Sequence, residues 1–159
     1  MKSLQGYLWR RGYDAGELRA PLFADVAPRL RAWRARGLRL MIYSSGSVPA
    51  QKLLFSCTDA DPVPDLTPLI ADWFDTVNAG PKTESPSYTA IARRHPDVAP
   101  AQWLFLSDNV REVDAAIAAG MRSCVVQRPG NADLPPGTRD RLRVIESFDE
   151  LGEDFGVGQ

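Results

Sequence analysis

Leu38-Arg39-Leu40-Met41-Ile42-Tyr43-Ser44-Ser45-Gly46-Ser47 passes from a short, almost wholly apolar run into four small polar residues. A run of that length and character predicts a buried strand of a parallel sheet. Just before it, Asp25-Val26-Ala27-Pro28 offers an N-cap and an early proline. Leu30 and Trp33 are the apolar positions of the helix so begun, and Gly37 suits its end. Behind Ser47, residues 48–55 predict a second helix. Helix, strand, polar loop and helix follow one another without a hairpin between them.

The same rhythm repeats downstream. Residues 73–77 predict a second strand, followed by the tight loop Gly80-Pro81-Lys82. Ser85-Pro86-Ser87 opens a helix to about Arg94, with Pro86 placed for its first turn. A third strand, residues 103–106, runs into Ser107-Asp108, and a helix over 110–119 stops at Gly120. Residues 123–126 predict a fourth strand, and residues 144–151 a closing element after the loops at Pro129-Gly130-Asn131 and Pro135-Pro136-Gly137. Strands alternating with helices predict an α/β fold with a parallel sheet. Residues 57–68, rich in proline and aspartate, read as loop. Residues 1–21 do not share the rhythm and read as a connector, leaving residues 22–159 as the core.

Composition narrows the function classes. A chain of 159 residues with net charge −1 predicts one domain and no strong pull toward nucleic acid or a membrane. The first residues lack the apolar segment of a secretory signal, which together with only two cysteines, Cys57 and Cys124, predicts a cytoplasmic protein with reduced thiols. Arg29, Arg31, Arg34 and Arg36 read as a solvated helix surface around Trp33, and His95 as a solvated helix end.

Ligands of open parallel sheets bind beyond the carboxyl ends of the strands. Three polar groups fall at such ends. Ser44-Ser45-Gly46 brings hydroxyls and backbone N–H groups to a helix start, which suits an anion. Lys82 in its tight loop supplies a fixed positive charge for a phosphate. Asp108 offers a carboxylate of the kind that suits Mg²⁺, a cation that keeps several waters. Glu112, four residues on, is placed to reach the metal waters or to orient Lys82. Each has a plain alternative: a turn, a surface lysine, and an N-cap for the helix over 110–119. The chain order of hydroxyl, lysine and acid predicts that Ser44, Lys82 and Asp108 meet at one rim of the sheet.

A hydroxyl after one strand, then a lysine, then an acidic pair after another resembles the second, third and fourth motifs of the haloacid dehalogenase (HAD) superfamily. Leu4-Gln5-Gly6-Tyr7-Leu8-Trp9, Ile42-Tyr43-Ser44-Ser45-Gly46-Ser47-Val48, Ala50-Gln51-Lys52-Leu53-Leu54-Phe55, Gly80-Pro81-Lys82-Thr83-Glu84-Ser85 and Val126-Gln127-Arg128-Pro129-Gly130-Asn131-Ala132 are similar to successive landmarks of the enolase-phosphatase (acireductone synthase) family. The likeness runs from about Leu4 to Leu151. It implies a HAD-like Rossmannoid core and an Mg²⁺-dependent phosphatase of methionine salvage. Such an enzyme enolises and dephosphorylates 2,3-diketo-5-methylthiopentyl-1-phosphate, a small phosphorylated metabolite. It further implies that Ser44, Ser45 and Gly46 contact substrate and phosphate, that Lys82 stabilises the phosphoryl group, that Asp108 binds the metal, and that Glu112 is the second acid of its motif.

One landmark is missing. The family's nucleophile motif, Asp-x-Glu-Gly-Thr, does not occur, and the nearest string, Asp59-Ala60-Asp61-Pro62, lacks the Gly-Thr and follows no predicted strand. The resemblance therefore implies a C-terminal portion, without the central strand and most of the cap. The expectations are an inactive isolated chain, a sheet interrupted between the strands that end at Ser44 and Asp108, and completion by a missing N-terminal segment or second chain. Two other readings stand beside this one: a HAD phosphatase for another small metabolite, and an inert or binding fragment.

Overall fold

The computed structural model describes residues 19–152, so most of the predicted connector, with the landmark from Leu4 to Trp9, lies outside the described residues. The chain divides into two compact units, Met1–Asp75 and Thr76–Gln159.

In the first unit, helix α1 (Val26–Ala35) leads to strand β1 (Leu40–Tyr43), helix α2 (Val48–Ser56), a 3₁₀ turn at Thr67–Leu69 and strand β2 (Ile70–Phe74). Gly37 ends α1 at φ 86°, a conformation that a side chain would strain. Asp25 sits at the N-cap position of α1 but its side chain makes no capping bond. Ala27, Leu30 and Trp33 are the buried face of α1, so Trp33 is core rather than the centre of a solvated basic surface. Arg31 is likewise structural: its guanidinium donates to the carbonyls of Asp61 and Val63 at 2.8 Å each, pinning residues 57–68. Strands β1 and β2 run parallel, in register from Leu40 opposite Ile70 to Tyr43 opposite Phe74, with one irregularity after Leu40. Phe74 is wholly buried, and the Trp73 ring meets Phe55 edge-on at 5.3 Å.

Strand β2 begins three residues before its predicted start. Exposed Ala71 and the half-buried Asp72 break the apolar pattern, yet Ile70 is buried and pairs in the ladder. At the other end Val77, predicted as strand, is 92% exposed.

In the second unit, helix α3 (Ser85–Arg93) precedes strand β3 (Leu104–Ser107), helix α4 (Val110–Ala118), strand β4 (Arg122–Val126), the single turn α5 (Thr138–Arg141) and strand β5 (Val144–Ile145). The strands form a parallel sheet in the order β3-β4-β5. Its core joins Val113 of α4 to Val125 and Leu142. On the same face Tyr88 of α3, fully buried, meets Phe105 edge-on at 4.9 Å. Cys124 is buried as expected, and burial pushes its thiol up to about 11. His95 is only half-exposed: it packs edge-on against Trp103 at 5.7 Å, so the predicted solvated helix end is instead an aromatic contact.

The sequence predicts one sheet interrupted between β1 and β3. The strands form two sheets, one in each unit, with β1 and β3 each the terminal strand of its own. Of the two, β1 was expected to be a buried strand and β3 an apolar one. All four residues of β1 and the first three of β3 are only half-buried, because each strand is laddered along one edge alone. Among the described residues no helix is long and apolar enough to cross a membrane.

Candidate functional site

The predicted residues divide between the units: Ser44, Ser45 and Gly46 lie in the first, Lys82, Asp108 and Glu112 in the second.

In the first unit the loop after β1 is shaped by its backbone. The Ser44 N–H continues the parallel ladder by donating to the Phe74 carbonyl at 3.1 Å. The Gly46 N–H donates to Ser44 Oγ at 3.1 Å, closing a tight turn. Two residues that sequence reasoning gave no role hold this turn. Gln51, 6% exposed, donates through Nε2 to the carbonyls of Gly46 at 2.7 Å and Phe74 at 2.8 Å. Asp75, also buried, accepts the Val48 N–H at 3.0 Å through Oδ2, so this carboxylate rather than Ser47 caps α2. The predicted anion site at this helix start therefore already has one of its N–H groups taken by an acid.

In the second unit the loop before α3 fixes Lys82. Gly80 has φ 110°, and a Cβ there would lie 2.6 Å from Ser87 Oγ, so only glycine fits. Ser87, buried, donates its hydroxyl to the Pro81 carbonyl at 2.8 Å. Tyr88 donates its hydroxyl to the Lys82 carbonyl at 2.6 Å. Held from below by α3, Lys82 projects its ammonium to within 2.6 Å of Glu112 Oε2. Both side chains are largely buried, with 20% and 11% of their surface exposed, so the pair is screened far less than one on the surface. The same Glu112 oxygen accepts the Ser107 hydroxyl at 2.7 Å, and Ser107 Oγ accepts the Asn109 N–H at 3.1 Å. Of the two roles read for Glu112, the geometry places it on the lysine.

Asp108, at the carboxyl end of β3, is exposed. Its alternative reading as the cap of α4 fails: Asn109 holds that position, and its side chain accepts the Arg111 N–H at 3.0 Å. Asp108 Oδ2 instead accepts from Asn131 Nδ2 at 3.1 Å. Asn131 was read as loop and as part of the landmark from Val126 to Ala132, with no role of its own, although an amide beside Pro-Gly after a strand end is a usable signal. Among the described residues no group of three or more His, Cys, Asp or Glu side chains is placed to hold a metal. The open cleft lined by Gln127, Asp133, Thr138 and Arg139 includes neither Lys82 nor Asp108.

A parallel α/β core with a lysine, a serine and acids at strand ends defines a class, and the comparisons with known proteins agree with it. A haloacid dehalogenase, the L-2-haloacid dehalogenase RSc1362, superposes with a TM-score of 0.59 at 25% identity, over 73% of this chain and 48% of its own. The UTR4 protein of Saccharomyces cerevisiae superposes with a TM-score of 0.82 at 39% identity, over 94% of this chain and 66% of its own. The fold is thus HAD-like.

No family model matches the chain. Curated relatives are much closer. "Enolase-phosphatase E1" of Pyricularia oryzae is 67% identical over 151 residues, which cover 95% of this chain and 65% of that protein. The protein of the same name from Chaetomium globosum is 63% identical over 157 residues, again 95% of this chain and 65% of that protein. Over 95% of its own length the chain is similar to these enolase-phosphatases, and it spans about 65% of theirs.

Proposed function

We propose that the chain carries the phosphate- and cation-handling part of an acireductone-forming phosphatase acting in the cytoplasm. The observation that carries this reading is the Lys82–Glu112 pair: a largely buried lysine, fixed by its own loop, held 2.6 Å from an acid on the helix that follows β3. A charge so placed stabilises the oxygens of a transferring phosphoryl group without reorganising as the reaction proceeds. Ser44, Ser45 and Gly46 contribute hydroxyl and N–H donors to substrate and phosphate.

Mg²⁺ is the proposed cation. The donor chemistry fits in part: Asp108 presents an exposed carboxylate, and Mg²⁺ takes one or two such ligands and retains water. When bound, the ion would neutralise charge on the phosphoryl oxygens. Glu112 serves the lysine rather than the cation. The attacking carboxylate is not among these 159 residues, because the sequence contains no Asp-x-Glu-Gly-Thr.

The second reading, a HAD phosphatase for another small metabolite, gives a different substrate profile. The test is to complement the chain with an N-terminal segment made from the Pyricularia oryzae relative and to assay a panel of phosphate esters with Mg²⁺. The proposal expects phosphate release from the diketo phosphate together with the absorbance of an enediol product. Release from sugar phosphates alone, with no enediol, would replace it with the second reading.

A further inference from the structure

Ser107 closes β3 at a place where the core would accept an apolar residue. It stands opposite the fully buried Val125 in the β3–β4 ladder and is itself only 9% exposed. A hydroxyl so buried costs free energy unless it is hydrogen-bonded. Its bonds lead away from the core, toward the lysine.

Each bond has one direction. The Asn109 N–H can only donate, so Ser107 Oγ accepts it at 3.1 Å. The Glu112 carboxylate, paired with an ammonium, accepts the Ser107 hydroxyl at 2.7 Å through Oε2. The same oxygen stands 2.6 Å from the Lys82 ammonium. A line of contacts therefore runs from the backbone at Asn109 through a hydroxyl and a carboxylate to the lysine. Its backbone end is fixed: the Asn109 side chain caps α4, and the Asn109 carbonyl accepts the Glu112 N–H at 3.0 Å. With two donors on one oxygen, the carboxylate cannot turn about its last bond without losing one of them.

We infer that Ser107 is a positioning residue: it locks the Glu112 carboxylate and so sets where the Lys82 ammonium stands toward a phosphoryl group. The inference rests on the phosphoryl role proposed for Lys82. Without the hydroxyl, Glu112 keeps its charge but is free to rotate, and Lys82 moves with it. A charge held in place stabilises a transferring group more than a mobile one, because it need not reorganise during the reaction. The plain alternative makes Ser107 a turn residue whose work ends at the Asn109 N–H. Only the first role reaches Lys82.

The test is acetylation of lysine amines in the whole 159-residue chain with a limiting amount of acetic anhydride, mapped by peptide mass spectrometry, with circular dichroism confirming that each variant is folded. Lys2, Lys52 and Lys82 are the only lysines of the sequence, and Lys52, exposed on α2, is the internal reference. In the parent chain Lys82 is expected to react more slowly than Lys52. Ser107→Ala should raise the Lys82-to-Lys52 ratio by about tenfold, the effect of one hydrogen bond to a charged group. Ser107→Thr keeps the hydroxyl and should restore the parent ratio, and Ser107→Cys, a weak donor of similar size, should fall between. Glu112→Gln should raise the ratio at least as far as Ser107→Ala. A ratio unchanged in Ser107→Ala and Ser107→Cys but raised in Glu112→Gln would confine Ser107 to its turn, overturning the inference and leaving the Lys82–Glu112 pair in place. A ratio raised as far in Ser107→Thr as in Ser107→Ala would overturn it too, since the hydroxyl would not be the cause. Lys82 reacting as fast as Lys52 in the parent chain would remove the pair, and with it the reading of Lys82 on which the inference rests.

Discussion

The polar loop after β1 and the polar cluster after β3 stand at equivalent places, each at the carboxyl end of a parallel strand, and they are held by different means. Around Ser44, the bonds run between side chains and main chain: Gln51 grips two carbonyls and Asp75 one N–H. Around Lys82 and Asp108, charged and polar side chains hold one another: Lys82 with Glu112, Ser107 with Glu112, Asn131 with Asp108. The first region is a shaped piece of backbone, and its chemistry is donor geometry. The second is a set of placed charges, and its chemistry is electrostatic. Removing one side chain should therefore deform the first region and leave an uncompensated charge in the second.

The larger effect is expected in the second region. Glu112→Ala takes away the carboxylate that holds a largely buried ammonium and the Ser107 hydroxyl. A loss of about 3 kcal/mol of stability is expected, in the range for breaking a buried pair from one side. Urea unfolding reads it, and a loss below about 1 kcal/mol, the level of an exposed pair, would place Lys82 and Glu112 in solvent and remove the contrast.

A smaller loss is expected in the first region. Gln51→Leu keeps the volume but leaves the Gly46 carbonyl without its Gln51 donor and the Phe74 carbonyl with only the Ser44 N–H, at a cost of about 2 kcal/mol. The distinguishing readout is local. Amide shifts of Ser44, Ser45 and Gly46 should move while those of Lys82 and Asp108 stay in place. A shift spread evenly over the chain would show that Gln51 serves general packing rather than this turn.

The contrast also explains what the sequence disclosed. The strand ends before Ser44 and Asp108 were legible because an apolar run that stops at a polar residue is a local signal. The helices were legible for the same reason, from prolines in first turns and glycines at the ends. Asp75 and Gln51 were not. Asp75 caps a helix that starts 27 residues earlier, and the bond from Gln51 to Phe74 spans 23. Such pairings exist only once β1 and β2 are laddered. Asp75 did carry a usable sign, an acid at a strand end like Asp108, hidden because β2 was read as running on to Val77. The ion pair between Lys82 and Glu112 joins residues far apart in sequence, yet orienting Lys82 was one of two roles read for Glu112, four residues past Asp108 on the helix that follows β3. Asp108 was read as a metal ligand or as a helix cap, and the cap could be set aside only by seeing Asn109 in that place.

The central claim is that these residues supply the charges and donors of a phosphatase while the attacking carboxylate comes from outside them. The most direct measurement is Mg²⁺-dependent phosphate release by the purified 159-residue chain, alone and with the N-terminal segment of a full-length relative, in the parent sequence and in Lys82→Ala. The account expects no release from the chain alone, release once the segment is added, and loss of that release in Lys82→Ala. Release from the chain alone that depends on Lys82 would contradict it, pointing to a nucleophile within these residues, with Asp59 and Asp61 the first to replace.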